Sequence, residues 1–350
     1  MINPIEKANV KMTKSILVTG AGGYIGCVLV PMLISKGYSV IAVDRFFFET
    51  ESHLVDKNLK ILKKDTRNLD ANDFNNIDCV IDLAALSNDP SGEYFQRATH
   101  EINFEARKKN ASLAKQAGVD RYILASSCSV YGFNEPETIL NENSPTNPLT
   151  TYAKKNLEAE NALLALCDPN FTVIVLRQAT LFGVSQRMRF DLAVNAMVRS
   201  AVEKQNIPVM RDGDQWRPML HVSDAASAQL MMIEIDKNLV QGEIFNVGAN
   251  NLNYQIKNIA LLIQNTSDSD ISINLYGDPD KRSYVVDFQK IKDIGFKCRF
   301  DIEMGIEQIV TALQSGSITP DEKTNTLNWY RRIIEWNERI NRLQISNKIF

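Results

Sequence analysis

Residues 15–26 read Ser15-Ile16-Leu17-Val18-Thr19-Gly20-Ala21-Gly22-Gly23-Tyr24-Ile25-Gly26, and Asp44 closes the next apolar run, 38–43. The β-rich run 16–18 predicts a short strand buried on both faces, and Gly20, Gly23 and Gly26 then open a helix expected to reach Lys36. Gly20 allows the sharp exit from the strand, Gly23 lets backbone approach a pyrophosphate, and Gly26 lets the helix pack closely on the sheet. The helix N-terminus offers free N–H groups to phosphates. Asp44 is placed to accept hydrogen bonds from the adenine-side ribose hydroxyls, which favours NAD because a carboxylate repels a 2′-phosphate. Arg45 beside it pulls toward NADP, since a guanidinium holds that phosphate. The bland reading of such a turn, a tight bend in a nucleotide-free α/β domain, is weakened by the agreement of strand, helix and acid.

The chain of 350 residues, 44% hydrophobic and 23% charged, has the composition of an ordinary soluble globular protein with ample material for a core. Its net charge of −3 comes without a basic block interleaved with aromatics, which argues against nucleic acid as a partner. No run reaches the length of a membrane span, and the mixed, polar start 1–14 is unlike a signal peptide, so a cytoplasmic protein with no membrane partner is expected. The five cysteines are scattered and odd in number, which predicts reduced thiols, and three histidines argue against a histidine-rich metal site.

Further along, 59–62 predicts a third strand, with Asp65 after it either reaching the adenine amino group or simply turning the chain. Strand 79–83 ends in Ala84-Ala85, small residues beside which a cofactor can pass. A long helix is expected over 92–117, with Asn103 inside it and Gly118 as its stop. Strand 122–125 runs into the hydroxyl cluster Ser126-Ser127-Cys128-Ser129-Val130-Tyr131-Gly132, at the sheet edge where ligands bind in such folds. A Pro/Asn/Glu-rich loop then leads to a helix carrying Tyr152 and to strand 171–176. Alternating strands and helices up to Arg177 require a parallel, doubly wound sheet. Beyond it the rhythm changes. The expected division is a tail 1–14, a dinucleotide-binding domain 15–177, and a mainly substrate-binding region 178–350 whose segments near 216–248 return to the first domain.

The ordered pieces 19–26, Asp44, Leu83-Ala84-Ala85, Asn103, 126–132, Tyr152 with Glu160, Leu176-Arg177, 217–224, 245–248 and Arg282 resemble the extended short-chain dehydrogenase/reductases, the nucleotide-sugar epimerase and dehydratase group, over nearly the whole chain. The resemblance implies a Rossmann fold with a smaller interleaved C-terminal region. It implies NAD held by Gly20, Gly22, Gly23, Tyr24, Ile25, Gly26, Asp44, Arg45, Asp65, Leu83, Ala84, Ala85 and Asn103, and a homodimer packed through helices 92–117 and 151–167. It places on Ser127 the hydroxyl that holds the sugar oxygen, and on Tyr152 the proton exchange that accompanies hydride movement. Arg217 and Arg282 would clamp the substrate diphosphate. Arg189 lies where the substrate loop begins, and Trp216 would stack on a ring. His221, in an apolar strand, reads as a core histidine.

The sequence departs from the family at one catalytic position. The lysine expected four residues after the tyrosine, which lowers its pKa and holds the nicotinamide ribose, is Asn156 here. A tyrosine near its reference pKa of about 10 is only about one part in a thousand ionised at neutral pH. Either Lys155, on the same broad helix face, brings its ammonium to that place, or Asn156 holds the ribose while the positive nicotinamide tunes Tyr152. Lys154 points about 160° away. Family members that dehydrate carry an Asp-Glu pair where Cys128-Ser129 stand, so dehydration is disfavoured. Cys128 either packs or lines the sugar pocket. The expected activity is NAD-dependent epimerisation of a nucleotide-diphosphate sugar through a transient 4-keto intermediate. The alternatives are a 4-dehydrogenase or 4-ketoreductase and a catalytically idle dinucleotide-binding protein.

Overall fold

The structure is a computed structural model that describes residues 13–133, 138–210, 212–266, 271–277, 283–345 and 348. Seven parallel strands form the central sheet: β1 (Ser15–Thr19), β2 (Ser39–Asp44), β3 (Leu59–Lys63), β4 (Cys79–Asp82), β5 (Arg121–Ser127), β6 (Thr172–Gln178) and β7 (Glu243–Val247). Their order is β7-β6-β5-β4-β1-β2-β3, so the chain winds outward in one direction from β1 and then in the other from β4. The sheet is thus the doubly wound Rossmann arrangement. Its register places Val18 opposite Ala42 on one side and opposite Ile81 on the other.

Both faces of the sheet are covered, which is why its strands are apolar without alternation. Ile16 and Val18 point into one core with Leu29, Leu33 and Met232, from helices Gly26–Ser35 and Val222–Glu234. Leu17 points to the opposite core with Ala111, Ala114, Ala159 and Leu163, from helices Arg107–Gln116 and Thr151–Leu164. Each such fully buried aliphatic side chain stabilises the fold by roughly 1.5–3 kcal/mol.

The expected single helix over 92–117 is instead Asp89–Tyr94, Gln96–His100, a π-helical turn Glu101–Ala106, and Arg107–Gln116. Phe95, at φ −119° and ψ 51°, leaves the helical region and breaks the first two apart. The helix carrying Tyr152 starts where Thr150 caps it by accepting from the Ala153 N–H, and it ends at Leu164.

A third core lies between helices Ala193–Lys204, Ile256–Asn265 and Ile302–Gln314. Strand Trp216–His221 belongs to this part: it pairs with Thr180–Phe182 and Asn253–Gln255 and not with the central sheet. The helix after it, Val222–Glu234, goes back to pack on Gly26–Ser35, and β7 adds to the sheet edge beside β6. Segments 216–248 therefore divide, the strand going to the smaller sheet and the rest to the large one.

Candidate active site

The cleft opens along the carboxyl edge of β1, β2, β4 and β5, as the winding reversal between β1 and β4 dictates. Gly20, Gly23, Tyr24, Ile25, Gly26, Asp44, Arg45, Asp65, Leu83, Ala84 and Ala85 all line it. Gly20 sits at φ +69°, and a Cβ there would stand 2.8 Å from the backbone of Leu83 and Ala84, so only glycine lets the two loops meet. Helix Gly26–Ser35 begins without a side-chain cap and without an acid in its first turn; Cys27 N–H donates to Gly23 O and Val28 N–H to Ile25 O, so the turn at 24–26 is what faces a phosphate. This glycine cradle fits a dinucleotide pyrophosphate.

Asp44 ends β2 with its Oδ2 accepting from Gly22 N–H at 3.0 Å and its Oδ1 from Phe46 N–H at 2.7 Å. Burial raises the pKa of its carboxyl against those two backbone donors. Gly22 itself is turned from the cleft toward the Phe46 and Thr50 side chains. Asp65 caps the Thr66–Asn68 turn and pairs with Arg67 at 2.8 Å and Arg45 at 3.1 Å; burial notwithstanding, those arginines hold its pKa low. Asp65 thus turns the chain at a point on the cleft wall. Asn103 is not a wall residue: its Oδ1 accepts from Leu86 N–H at 2.9 Å and its Nδ2 donates to Leu86 O at 3.1 Å, fixing the loop after β4.

At the inner end, Tyr152 lies against Ser127, Asn156 and Arg107. Burial raises the Tyr152 pKa, the Arg107 charge and then the Asn156 side chain pull it back, and Asp89 opposes them. Ser127 adds a weaker pull and accepts from Ser129 N–H at 3.1 Å. Behind it Ser126 donates to Glu160, whose Oε2 receives Arg177 Nη2 at 2.7 Å, and Arg177 Nη1 reaches the Tyr131 hydroxyl at 3.1 Å. This buried ion pair ties β5 and β6 to the tyrosine helix. Cys128 is fully buried and donates to Arg177 O at 3.3 Å, so it packs.

The structure does not bring Lys155 into the cleft: its ammonium holds Glu158 at 2.7 and 2.8 Å. Asn156 is buried, with Oδ1 accepting from Arg107 Nη1 at 2.8 Å. Arg189 lines the cleft, paired to Asp191 by two bonds of 3.0 Å. Trp216 and Arg217 stand outside it on the smaller sheet, where Arg217 Nη1 donates to Trp216 O at 2.8 Å and its guanidinium lies 5.3 Å from the Tyr284 ring centroid. Arg282 lies outside the described residues.

Several cleft residues were not anticipated from the sequence. Tyr330 and Thr326 on the C-terminal helix Thr326–Leu343 close the outer wall. Trp329 Nε1 donates to Phe47 O at 2.6 Å, and Tyr330 packs on the edges of Phe47 and Phe48, so that helix pins the loop after Asp44. Arg187, which the resemblance places with Arg189 at the start of the substrate loop, lies 3.7 Å from the Phe48 ring centroid, its pKa pushed down to about 10 by burial and by Arg189. Arg107 lines the cleft from a neighbouring helix. Its signal was present: 103, 106, 107, 110, 111 and 114 repeat at helical spacing, so Arg107 falls on a buried face. Among the described residues no group of three or more His, Cys, Asp or Glu could hold a metal ion, and no helix is long and apolar enough to cross a membrane.

Comparisons with known proteins agree with this geometry. An uncharacterised UDP-glucose epimerase of Bacillus subtilis is 29% identical over 67% of this chain and 76% of its own. The UDP-glucuronic acid decarboxylase 1 of Arabidopsis thaliana is 25% identical over 88% of this chain and 71% of its own. The solved structure of MoeE5 in complex with UDP-glucuronic acid and NAD is 27% identical, with a TM-score of 0.75 over 86% of this chain and 99% of that one. The sequence pattern of one family matches residues 16–248, two thirds of the chain, and it runs from β1 through the cleft to the end of β7. The protein belongs to the NAD dependent epimerase/dehydratase family.

Proposed function

We propose that the protein is an epimerase of a nucleotide-diphosphate sugar, working through a transient 4-keto intermediate with NAD held in the cleft. The observation that carries the reading is the make-up of the cleft's inner end, where Tyr152 lines the wall with Ser127 beside it and no second acid–base pair stands among the described residues. Cys128 is sealed in the core with its thiol pKa pushed up by burial, and the Ser129 hydroxyl is a poor acid and base, so neither supplies the additional acid and base that elimination of water needs. Oxidation of an alcohol and its reversal need only one proton carrier and one oriented oxygen.

In this reading Asp44 takes the adenosine ribose hydroxyls, and the uncapped N-terminus of helix Gly26–Ser35 takes the pyrophosphate. NAD, when bound, accepts the hydride from the sugar carbon and returns it. Ser127 Oγ orients the C4 oxygen, while the Tyr152 hydroxyl takes its proton and later gives it back. Arg189 stands beside this end of the cleft as a cation for the substrate, and the UDP-sugar relatives support that substrate class. Arg217 and Arg282 remain the proposed clamp for the diphosphate. The family resemblance also supports a homodimer; a solution mass near 39.4 kDa at micromolar concentration would refute it.

The test is incubation with NAD and a panel of sugar nucleotides, following nicotinamide absorbance and product by NMR. A product of unchanged mass with inverted C4 and no net NADH is expected. Accumulated NADH with a keto sugar would make the protein a dehydrogenase, and bound NAD without turnover on any sugar nucleotide would make it an idle binder.

A further inference from the structure

We propose that Arg107 is a positioning residue of this site. Its guanidinium fixes Asn156 and supplies, from a neighbouring helix, the positive charge that the family's lysine supplies from one turn along the tyrosine's own helix. The inference rests on the proposed role of Tyr152 as proton carrier.

Arg107 is 2% exposed and Asn156 1% exposed. A guanidinium costs heavily to bury unless its donors are met. Arg107 Nη1 donates to Asn156 Oδ1 at 2.8 Å and Nη2 to Ala125 O at 3.3 Å, while Nε has no hydrogen-bond partner. Its nearest carboxylate, Asp82, is 4.0 Å away and already accepts from the Thr19 hydroxyl at 2.6 Å and the Tyr122 hydroxyl at 2.6 Å. Among the described residues no carboxylate hydrogen-bonds to the guanidinium, which lines the same cleft as Tyr152.

The orientation of Asn156 follows from chemistry. Arg has donors and no acceptor, so the amide oxygen must face Arg107 and the NH₂ must face the opposite way. Nδ2 has no hydrogen-bond partner of ordinary geometry and is buried, one helical turn from Tyr152. It is a donor held ready for a phenolate or for a ribose hydroxyl, and an unpartnered buried donor of this kind marks a functional position.

The other charged groups around Tyr152 do not supply the cation. Asp89 opposes ionisation, and Glu93 on the same short helix accepts from Thr151 N–H at 2.6 Å. Arg189 acts on Tyr152 from across the cleft but is paired with Asp191, and Lys155 is paired with Glu158 and stays out of the cleft. Arg97 and His100 are turned to Glu101 and Glu105, while Glu160 and Arg177 satisfy each other. Arg107 is left as the cation next to the tyrosine without a tight ion-pair partner.

The test titrates Tyr152 in the substrate-free protein by NMR of ring-labelled tyrosine, with Tyr152→Phe identifying the resonance. Arg107→Gln should raise the Tyr152 midpoint by about one unit or more, Arg107→Lys should retain most of the wild-type value, and the basic limb of the kcat/KM profile should move in step. Because Arg107→Gln also removes the 4.0 Å contact with buried Asp82, and with it some stability, Asn156→Leu is read beside it; it removes the donor, keeps the guanidinium, and should also raise the midpoint. An unchanged midpoint in every folded member of this pair would overturn the inference. The titration needs no turnover, so lack of activity on all sugar nucleotides would sink the proposed function and leave this result standing.

Discussion

Gly26 and Gly23 lie three residues apart in one turn, yet the same methyl group has opposite consequences at the two. A Cβ at Gly26 would sit 2.4 Å from both Ala21 O and Gly20 O, and 2.6 Å from Ala21 C. All three are backbone atoms of the strand-to-helix turn, so nothing flexible can give way. Overpacking of this kind costs about 1–3 kcal/mol, and a rigid backbone partner puts Gly26→Ala at the upper end, about 3 kcal/mol. At about 2 °C per kcal/mol in a chain of this size, the melting temperature should fall by roughly 6 °C. A Cβ at Gly23 meets only Gly20 O, at 3.1 Å, and otherwise points into the cleft. Gly23→Ala should therefore change stability by less than about 1 kcal/mol, while its methyl occupies space reserved for the pyrophosphate and weakens NAD binding at least about tenfold, which is about 1.4 kcal/mol. Thermal melts without cofactor and calorimetric titration with NAD separate the two effects. The reasoning fails if Gly26→Ala melts with the wild type, or if Gly23→Ala keeps its NAD affinity.

Three further outcomes follow from the same geometry. Glu160→Gln leaves the Arg177 guanidinium buried without its carboxylate and should lower stability by roughly 3–5 kcal/mol; a denaturation midpoint barely moved would show that the pair does not tie β5 and β6 to the tyrosine helix. Burial pushes His221 down from 6.5 to about 4, so the unfolded chain takes up its proton first and stability is lost as the pH falls from about 6.5 to about 4. That difference is worth about 3 kcal/mol, and His221→Gln should flatten this acid limb in melts recorded against pH. Tyr152→Phe should lower kcat by about 10²–10⁴-fold with NAD affinity retained; turnover close to that of the wild type would assign the proton transfer elsewhere.

The large sheet was legible because its signals are local. Ile16, Leu17 and Val18 are apolar in succession, and only a strand covered on both faces buries all three. The glycines act within one strand–turn–helix unit, and the very next strand brings Asp44 back against Gly22. The 92–117 segment was misread as one helix because hydrophobic periodicity registers a helix without registering a change of pitch; the break at Phe95 and the π turn over Glu101–Ala106 keep the amphipathic stripe nearly in line. Strand Trp216–His221 lies in the stretch 216–248 expected to return to the first domain; alternation says that a run is a strand and is silent on its partner, which register with Thr180–Phe182 decides.

The catalytic end was half legible for a related reason. Ser127 and Tyr152 stand on a strand end and a helix whose positions the doubly wound order fixes, so motif and place agree. The missing cation, in contrast, has a replacement close in sequence only on the tyrosine's own helix, where Lys155 is three residues away but occupied by Glu158 in space. Arg107 is 49 residues away in sequence and 2.8 Å from Asn156. An asparagine where lysine is expected reads as a loss when one helix is considered alone. Beside a buried arginine it reads as an exchange, in which the charge moves to a neighbouring helix and the asparagine becomes the dipole between that charge and the tyrosine. Buried charges are tolerated only where something answers them, so an arginine on a predicted buried helix face is itself the place to look when a catalytic cation is missing from its usual position.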